Sequence, residues 1–212
     1  MNSRVILVSD DRSSLRSPDT LLWPDAACMR GIHTGEWTAH IFEYAMSFEG
    51  NMTQVRELAA ANGVGVLHPH GALATDPPGL IVCDVDSTVT RTEAIDLLAE
   101  CAGNADEVRE ITARAMVGEL DFTQSLYARV RCLEGLHIGA LEEAWKATVI
   151  TPGTAELVAA AHDVGAAVGL VSGGFTAIVD PLAEQIRADF AASNELEIVD
   201  NHLTGRVVGD II

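Results

Sequence analysis

Leu80-Ile81-Val82-Cys83-Asp84-Val85-Asp86-Ser87-Thr88 is the stretch on which the reading of this chain turns. Its first four residues form a short apolar run of the kind that makes a fully buried parallel strand. The run ends in two carboxylates, Asp84 and Asp86, followed by two hydroxyl residues. Ligands in α/β sheets bind where strands end, so this order places two acids at the mouth of a site. Acidic turn residues after a strand are also common, and on its own the motif is open to that reading.

A second strand end strengthens the first. Ala166 to Val171 is another apolar run, and Ser172-Gly173-Gly174-Phe175 follows it, with a helix expected from Thr176 or Ala177. Glycines that open a helix expose backbone N–H groups and a positive helix end to an anion. An ordinary tight turn would use the same residues.

Between the two strand ends the periodicity predicts four short helices. They cover Thr92 to Glu100, Asp106 to Val117, Asp121 to Leu133 and Gly139 to Val149. Val108, Ile111, Ala115 and Met116 fall on roughly one face of the second. In the third, Asp121 caps and Leu126, Val130 and Leu133 point inward. Inserted between one strand and the next, such helices form a cap over a site, about residues 92–150. A helix over Thr154 to Asp163, a short strand over Ala188 to Ala192 and a hairpin pairing Leu196 to Val199 with Leu203 to Val208 complete the pattern.

Residues 1–76 read as a separate small α/β domain. It has strands over Val5 to Val8, His40 to Phe48 and Val64 to Leu67, and a helix over Thr53 to Asn62. Asp10 to Pro24 is polar and turn-rich, and Trp23 and Trp37 read as packing residues. Thr75-Asp76-Pro77-Pro78-Gly79 is the linker to a second domain, 77–212.

Composition narrows the function. The 212 residues carry a formal net charge of −18, and Lys146 is the one lysine, so nucleic acid is excluded as a partner. The acidity serves solubility, or calls for a divalent cation before phosphate can approach. No apolar run is long enough to span a membrane and no signal-peptide pattern follows Met1, which points to the cytoplasm. Cys28, Cys83, Cys101 and Cys132 are widely spaced. That spacing argues against zinc and fits reduced, buried thiols, with Cys83 in the core. His68 and His70 read as loop residues.

The two strand ends with a helical insert resemble the haloacid dehalogenase superfamily. Asp84-Val85-Asp86-Ser87-Thr88, Glu93, Gly118 to Phe122, Ser125-Leu126, Arg129-Val130, Ser172 to Phe175, Asn194 to Glu197 and Leu203-Thr204-Gly205 together resemble its phosphoserine phosphatases. The likeness runs from about residue 78 to 212. It implies a Rossmannoid parallel sheet with an inserted helical cap. It also implies a Mg²⁺-dependent phosphomonoesterase that hydrolyses O-phospho-L-serine, a small-molecule substrate, in the last step of serine biosynthesis. By the same resemblance Asp84 is the nucleophile that forms an aspartyl phosphate, and Asp86 is the general acid and base. Mg²⁺ is held by Asp84 and the carbonyl of Asp86, and Ser172 and the Gly173 N–H hold phosphoryl oxygens. Glu93 pairs with the substrate ammonium, Arg129 with its carboxylate, and Met116 and Phe122 close over the ligand. Each has a plain alternative: Glu93 a first-turn helix acid, Arg129 a surface residue, Met116 and Phe122 core.

Two motifs that the resemblance implies are not in the sequence. One is a phosphate-holding Lys after the Leu-Thr-Gly hairpin; the other is a Gly-Asp-Gly-x-x-Asp loop that completes the metal site. Lys146 lies in the cap and cannot replace the first. The α/β domain is therefore expected to be incomplete at its C-terminus, leaving the Leu80–Cys83 strand as an exposed edge open to aggregation or to pairing with another chain, a second copy included. A related phosphatase of another small ester and a non-catalytic fragment stay open as alternatives.

Overall fold

The computed structural model describes residues 3–9, 27–33, 38–44, 52–69 and 71–212, in two compact units, Met1–Pro77 and Pro78–Ile212. In the first, strands β1 (Ser3–Ser9), β2 (Ala27–His33), β3 (Thr38–Tyr44) and β4 (Gly65–Leu67) form an antiparallel sheet in the order β2-β3-β1-β4, with helix α1 (Met52–Ala61) before β4. Along β1, Val5, Leu7 and Ser9 are buried and Ile6 and Val8 half-buried, the period of two that a one-sided sheet requires. Strand β2 was not foreseen from the sequence, because no regular alternation marks it. Strand β3 starts two residues before the expected His40. The stretch 10–24, Trp23, Trp37, His70, residues 45–48 and the Cys28 side chain lie outside the described residues.

The second unit is built on strands β5 (Leu80–Cys83), β6 (Ala167–Phe175), β7 (Phe190–Val199) and β8 (His202–Val208), in that spatial order. The first three are parallel and β8 is antiparallel to β7. Helices α2 (Ala94–Ala102), α3 (Ala105–Met116), α4 (Phe122–Arg131) and α5 (Gly139–Ala147) lie between β5 and β6 and form the cap. Helix α6 (Thr154–Asp163) precedes β6, and α7 (Thr176–Ile186) joins β6 to β7.

Local chemistry accounts for the boundaries. Asp121 and Gln124 make a reciprocal capping box at the start of α4. Asp200 and Asn201 both hold positive φ, the geometry of a two-residue turn that matches the twist of β7 and β8. Strand β7 runs as one element where the sequence suggested a short strand and a separate hairpin arm. Asn194 interrupts the apolar pattern, but it is buried with its amide bonded to the backbone of β6, so the ladder continues through it.

Two cores hold the unit together. Leu98, Val108, Leu126, Val130 and Leu133 of the cap pack with Phe175, Ile178, Leu196 and Leu203 from the sheet side. Val158 and Ala161 of α6 and Val179, Leu182 and Ile186 of α7 pack on Val168 and Leu170. Ile81 and Cys83 meet this second core from β5.

The opposite face of the same strands is bare within this unit. Leu80 and Val82 are 53% and 51% exposed, and Val171 and Phe190 are exposed beside them. The apolar run of β5 therefore buries one face only. It is the edge strand of the sheet, paired with β6 alone, as expected for an incomplete sheet and unlike the fully buried strand that the apolar run by itself suggests. The thiols also depart from expectation: Cys132 is buried, Cys83 half-buried, and Cys101 exposed because it falls off the inward stripe of α2. Among the described residues no helix is long and apolar enough to cross a membrane.

On the bare face Phe190 lies across Gly169. A Cβ there would sit 1.9 Å from the Phe190 ring. Gly169→Ala should cost roughly 1–3 kcal/mol by overpacking. The same change in a Phe190→Ala background should cost much less, and denaturant melts of the four-member cycle read the difference as a coupling energy. Additive losses would mean that the ring simply swings away.

Candidate active site

The loop after β5 is shaped by its own backbone. Asp84 is extended, and its Oδ1 accepts from the Val85 N–H at 2.8 Å. Ser87 takes a left-handed conformation, with φ of +56°, and turns the chain back. The Thr90 N–H closes the loop on the Val85 carbonyl at 2.9 Å, and the Thr90 hydroxyl bonds the carbonyl of Thr92. Val85 and Val89 are buried beneath. The two acids are left on the open side.

Asp86 has both oxygens engaged. Its Oδ1 accepts from the Ala94 N–H, the first residue of α2, at 2.8 Å. Its Oδ2 accepts from the Ser172 hydroxyl at 3.4 Å, and Ser172 Oγ accepts in turn from the Gly174 N–H at 2.8 Å. The end of β6, which carries Ser172, is held from β7, where the Asn194 amide donates to the Gly173 carbonyl at 2.9 Å. Gly174 cannot carry a side chain, since a Cβ would lie 2.6 Å from Asp86 Oδ2. Burial raises the Asp86 pKa, and the charges of Glu93 and Asp84 add to the rise; the Ala94 N–H and Ser172 partly oppose it.

A cavity of about 230 Å³ opens at this point. Asp84 and Asp86 share its wall with Gly173 and Gly174 of β6, and with Glu93, Phe122 and Arg129 of the cap. Phe122 comes so close that a Cβ on Gly173 would be 2.7 Å from its ring. Glu93 is oriented by a hydrogen bond from the Ser87 hydroxyl. Arg129 is half-buried and donates from Nε to the Ser125 carbonyl at 3.4 Å. Among the described residues it pairs with no carboxylate, although the chain has 31 acidic residues to 13 basic ones. A half-buried, unpaired guanidinium is a ready anion subsite.

The predicted residues are thus placed as follows. Asp84, Asp86, Glu93, Phe122, Arg129 and Gly173 line the inner cavity. Ser172 is buried behind Asp86 with its hydroxyl committed to its neighbours. Met116 is 83% exposed and borders a wider cavity of about 580 Å³, which shares Glu93, Phe122 and Arg129 with the inner one. Met116 is therefore off the inward face of α3 on which the sequence had placed it. Lys146 pairs with Glu142 on the surface of α5. Reading by motif passed over the parts played by Ser87 and Asn194. Nothing in a serine announces positive φ, but a lone amide inside an apolar strand such as Asn194 is a usable signal for a buried bonding partner.

A model of the haloacid dehalogenase-like hydrolases matches residues 81–211. The chain belongs to this family. It is similar to the phosphoserine phosphatase of Streptomyces coelicolor, with 48% identity over 154 residues, 73% of this chain and 38% of that one. The phosphoserine phosphatase of Streptococcus thermophilus is 49% identical over 134 residues, 63% of this chain and 62% of that one. The crystal structure of a probable phosphoserine phosphatase from Vibrio cholerae, in unliganded form, superposes with a TM-score of 0.77 at 32% identity, over 99% of this chain and 64% of that one. The chain therefore spans less than two thirds of the length of these relatives.

Within the family match lie both strand ends and the whole cap, so every residue of the inner cavity falls inside it. Chemically the cavity offers the side chain of Asp84, held by the Val85 N–H through one oxygen, beside a carboxyl that holds its proton to higher pH than usual, Asp86. Because the folded-state pKa of Asp86 is raised, its contribution to stability is present in acid and is lost as pH rises through the raised value. Asp86→Asn should therefore raise the melting temperature at pH 7, with the gain shrinking as pH falls toward the ordinary aspartate range. A gain that did not vary with pH would place its cause elsewhere.

Proposed function

We propose that this chain carries the catalytic site of a phosphomonoesterase acting on O-phospho-L-serine. The observation that supports it best is the single cavity in which two strand-end aspartates meet a carboxylate and an unpaired guanidinium from the cap. Those four groups match the substrate end for end: Asp84 and Asp86 toward the phosphate, Glu93 for the ammonium and Arg129 for the carboxylate. The names of the relatives point the same way.

In this reading an Asp84 oxygen attacks phosphorus as the bond to the serine oxygen breaks, giving an aspartyl phosphate. Asp86 delivers its proton to the departing serine oxygen. It then takes a proton from the water that cleaves the aspartyl phosphate, which restores Asp84 and releases phosphate. The raised proton affinity of Asp86 suits the first of these transfers. The Gly173 N–H would meet a phosphoryl oxygen from the cavity wall, and the Phe122 ring would cover it.

The donor set suits a hard divalent cation. Among the described residues there is no cluster of three metal-ligating side chains, but Mg²⁺ ordinarily takes one or two carboxylates and completes its shell with water and phosphate. Asp84 and the backbone carbonyl of Asp86 would hold it. Bound there, it offsets the repulsion between a phosphate dianion and two carboxylates.

One observation favours a second reading. Arg129 is the one cation among the residues that line the inner cavity, so no side chain of the sheet neutralises a phosphate there. On that basis the chain binds the substrate but turns it over slowly.

Phosphate release from O-phospho-L-serine by the 212-residue chain separates the two. Release with Mg²⁺ that EDTA abolishes, and that Asp84→Asn lowers by orders of magnitude, is the expected result. Binding without release favours the second reading, and neither binding nor release rejects both. Arg129→Ala should weaken phosphoserine by about ten- to hundredfold, the range for a hydrogen bond to a charged group, and leave an aryl phosphate nearly unchanged. Equal losses would make Arg129 structural.

A further inference from the structure

Ser125 is a buried polar residue of the cap with no bonding partner. It is 2% exposed, and among the described residues its hydroxyl has none. A serine inside a helix usually returns its hydroxyl to the carbonyl four residues back. Here the Ser125 backbone N–H bonds the Asp121 carbonyl, and the hydroxyl does not. Its oxygen is also screened from bulk solvent, so water does not satisfy it.

Its position says what could. Ser125 lies three residues after Phe122 and four before Arg129, on one face of α4. All three residues border the wider cavity of about 580 Å³, which continues the wall of the inner one through Phe122 and Arg129. The Nε of Arg129 is turned to the Ser125 carbonyl, which leaves the terminal guanidinium nitrogens for an anion. A hydroxyl one turn from that guanidinium, on the same face, is a second donor to whatever anion the guanidinium takes. Rotation about a single side-chain bond carries a serine hydroxyl between its staggered positions, so no backbone change is needed to present it to the cavity.

We propose that Ser125 is a specificity-determining residue whose hydroxyl donates to the carboxylate of an amino-acid phosphate bound at Arg129. The proposal rests on the phosphoserine reading of the site. It adds a neutral donor to the charged pair and explains why an unsatisfied hydroxyl is kept on this wall. The class of ligand follows: a phosphate ester with a carboxylate on the carbon that bears its amine. O-phosphoethanolamine, which lacks only that carboxylate, is the matched control.

Calorimetric titration of the full chain with O-phospho-L-serine and with O-phosphoethanolamine, in Mg²⁺ buffer, tests it. The native chain should prefer phosphoserine. Ser125→Ala should weaken phosphoserine by about tenfold, as expected for a hydrogen bond to a charged group, and leave phosphoethanolamine within about twofold. Alanine is the best helix former, so the variant should melt no lower than the native chain, and a parallel thermal melt verifies that it is folded. Ser125→Ala with an undiminished preference overturns the proposal alone. Equal weakening toward both ligands also overturns it, since it marks a structural role. A native chain with no preference overturns the phosphoserine reading and this proposal with it.

Discussion

The Asp86 carboxylate is the junction on which the second unit depends. One oxygen takes the first N–H of α2 and the other takes the Ser172 hydroxyl, so a single side chain ties the end of β5 to the start of the cap and to the end of β6. A carboxylate that is largely out of water pays for that place in proton affinity. The constraint spreads outward. Gly174 must lack a side chain because Asp86 occupies its space, and the Asn194 amide satisfies the Gly173 carbonyl. The side-chain oxygen of the same Asn194 accepts the Ile212 N–H at 3.0 Å.

The cap is held to the sheet by more than this junction. Its two connections run side by side: the Arg91 N–H meets the Val149 carbonyl, the Thr151 N–H meets the Val89 carbonyl, and the Thr151 hydroxyl donates to the Thr88 carbonyl. At the far side the loop after α4 is paired with the β7–β8 hairpin, through Gly135 N–H to Leu203 O and Leu203 N–H to Leu136 O. A Cβ on Gly205 would lie 3.3 Å from the backbone of Arg131. Between the two attachments lies the core shared by Leu98, Leu126 and Val130 with Ile178 and Leu196. Glu93 and Arg129 are thus carried on a body whose register against Asp84 and Asp86 is set by hydrogen bonds at both ends and apolar contact in the middle.

Local patterns made most of this legible. The apolar runs before Asp84 and Ser172 are strands, the four amphipathic stretches between them are helices, and Asp121 caps α4 as expected. What the sequence did not disclose depends on what lies across space. The period of residues 80–83 is equally that of a strand covered on one face or on both, so the run alone suggests a buried strand, and it is the absence of the later motifs that points to the exposed edge seen at Leu80 and Val82. Met116 sits at the last turn of α3, where the helical stripe leaves the core, so periodicity alone overstates its burial. Ser87 holds positive φ because the loop must return from Asp86 to Thr90 within a few residues, a demand written in the closure and not in the serine.

Charge gives these geometric facts their chemical sense. In a chain of net charge −18, a cation that is half-buried and unpaired among the described residues is not short of acids around it; it is kept from them by the fold. Arg129 is aimed into a cavity whose other charged walls are Asp84, Asp86 and Glu93. None of these acids takes it as a salt-bridge partner, and Glu93 is instead steered by Ser87. Left to Coulomb attraction, a carboxylate and a guanidinium in so small a space would collapse together. In the proposed reading a ligand that carries both signs bridges the separation. Under that proposal the substrate's ammonium and carboxylate meet Glu93 and Arg129, and its phosphate lies against the two strand-end aspartates, where a counter-ion is needed.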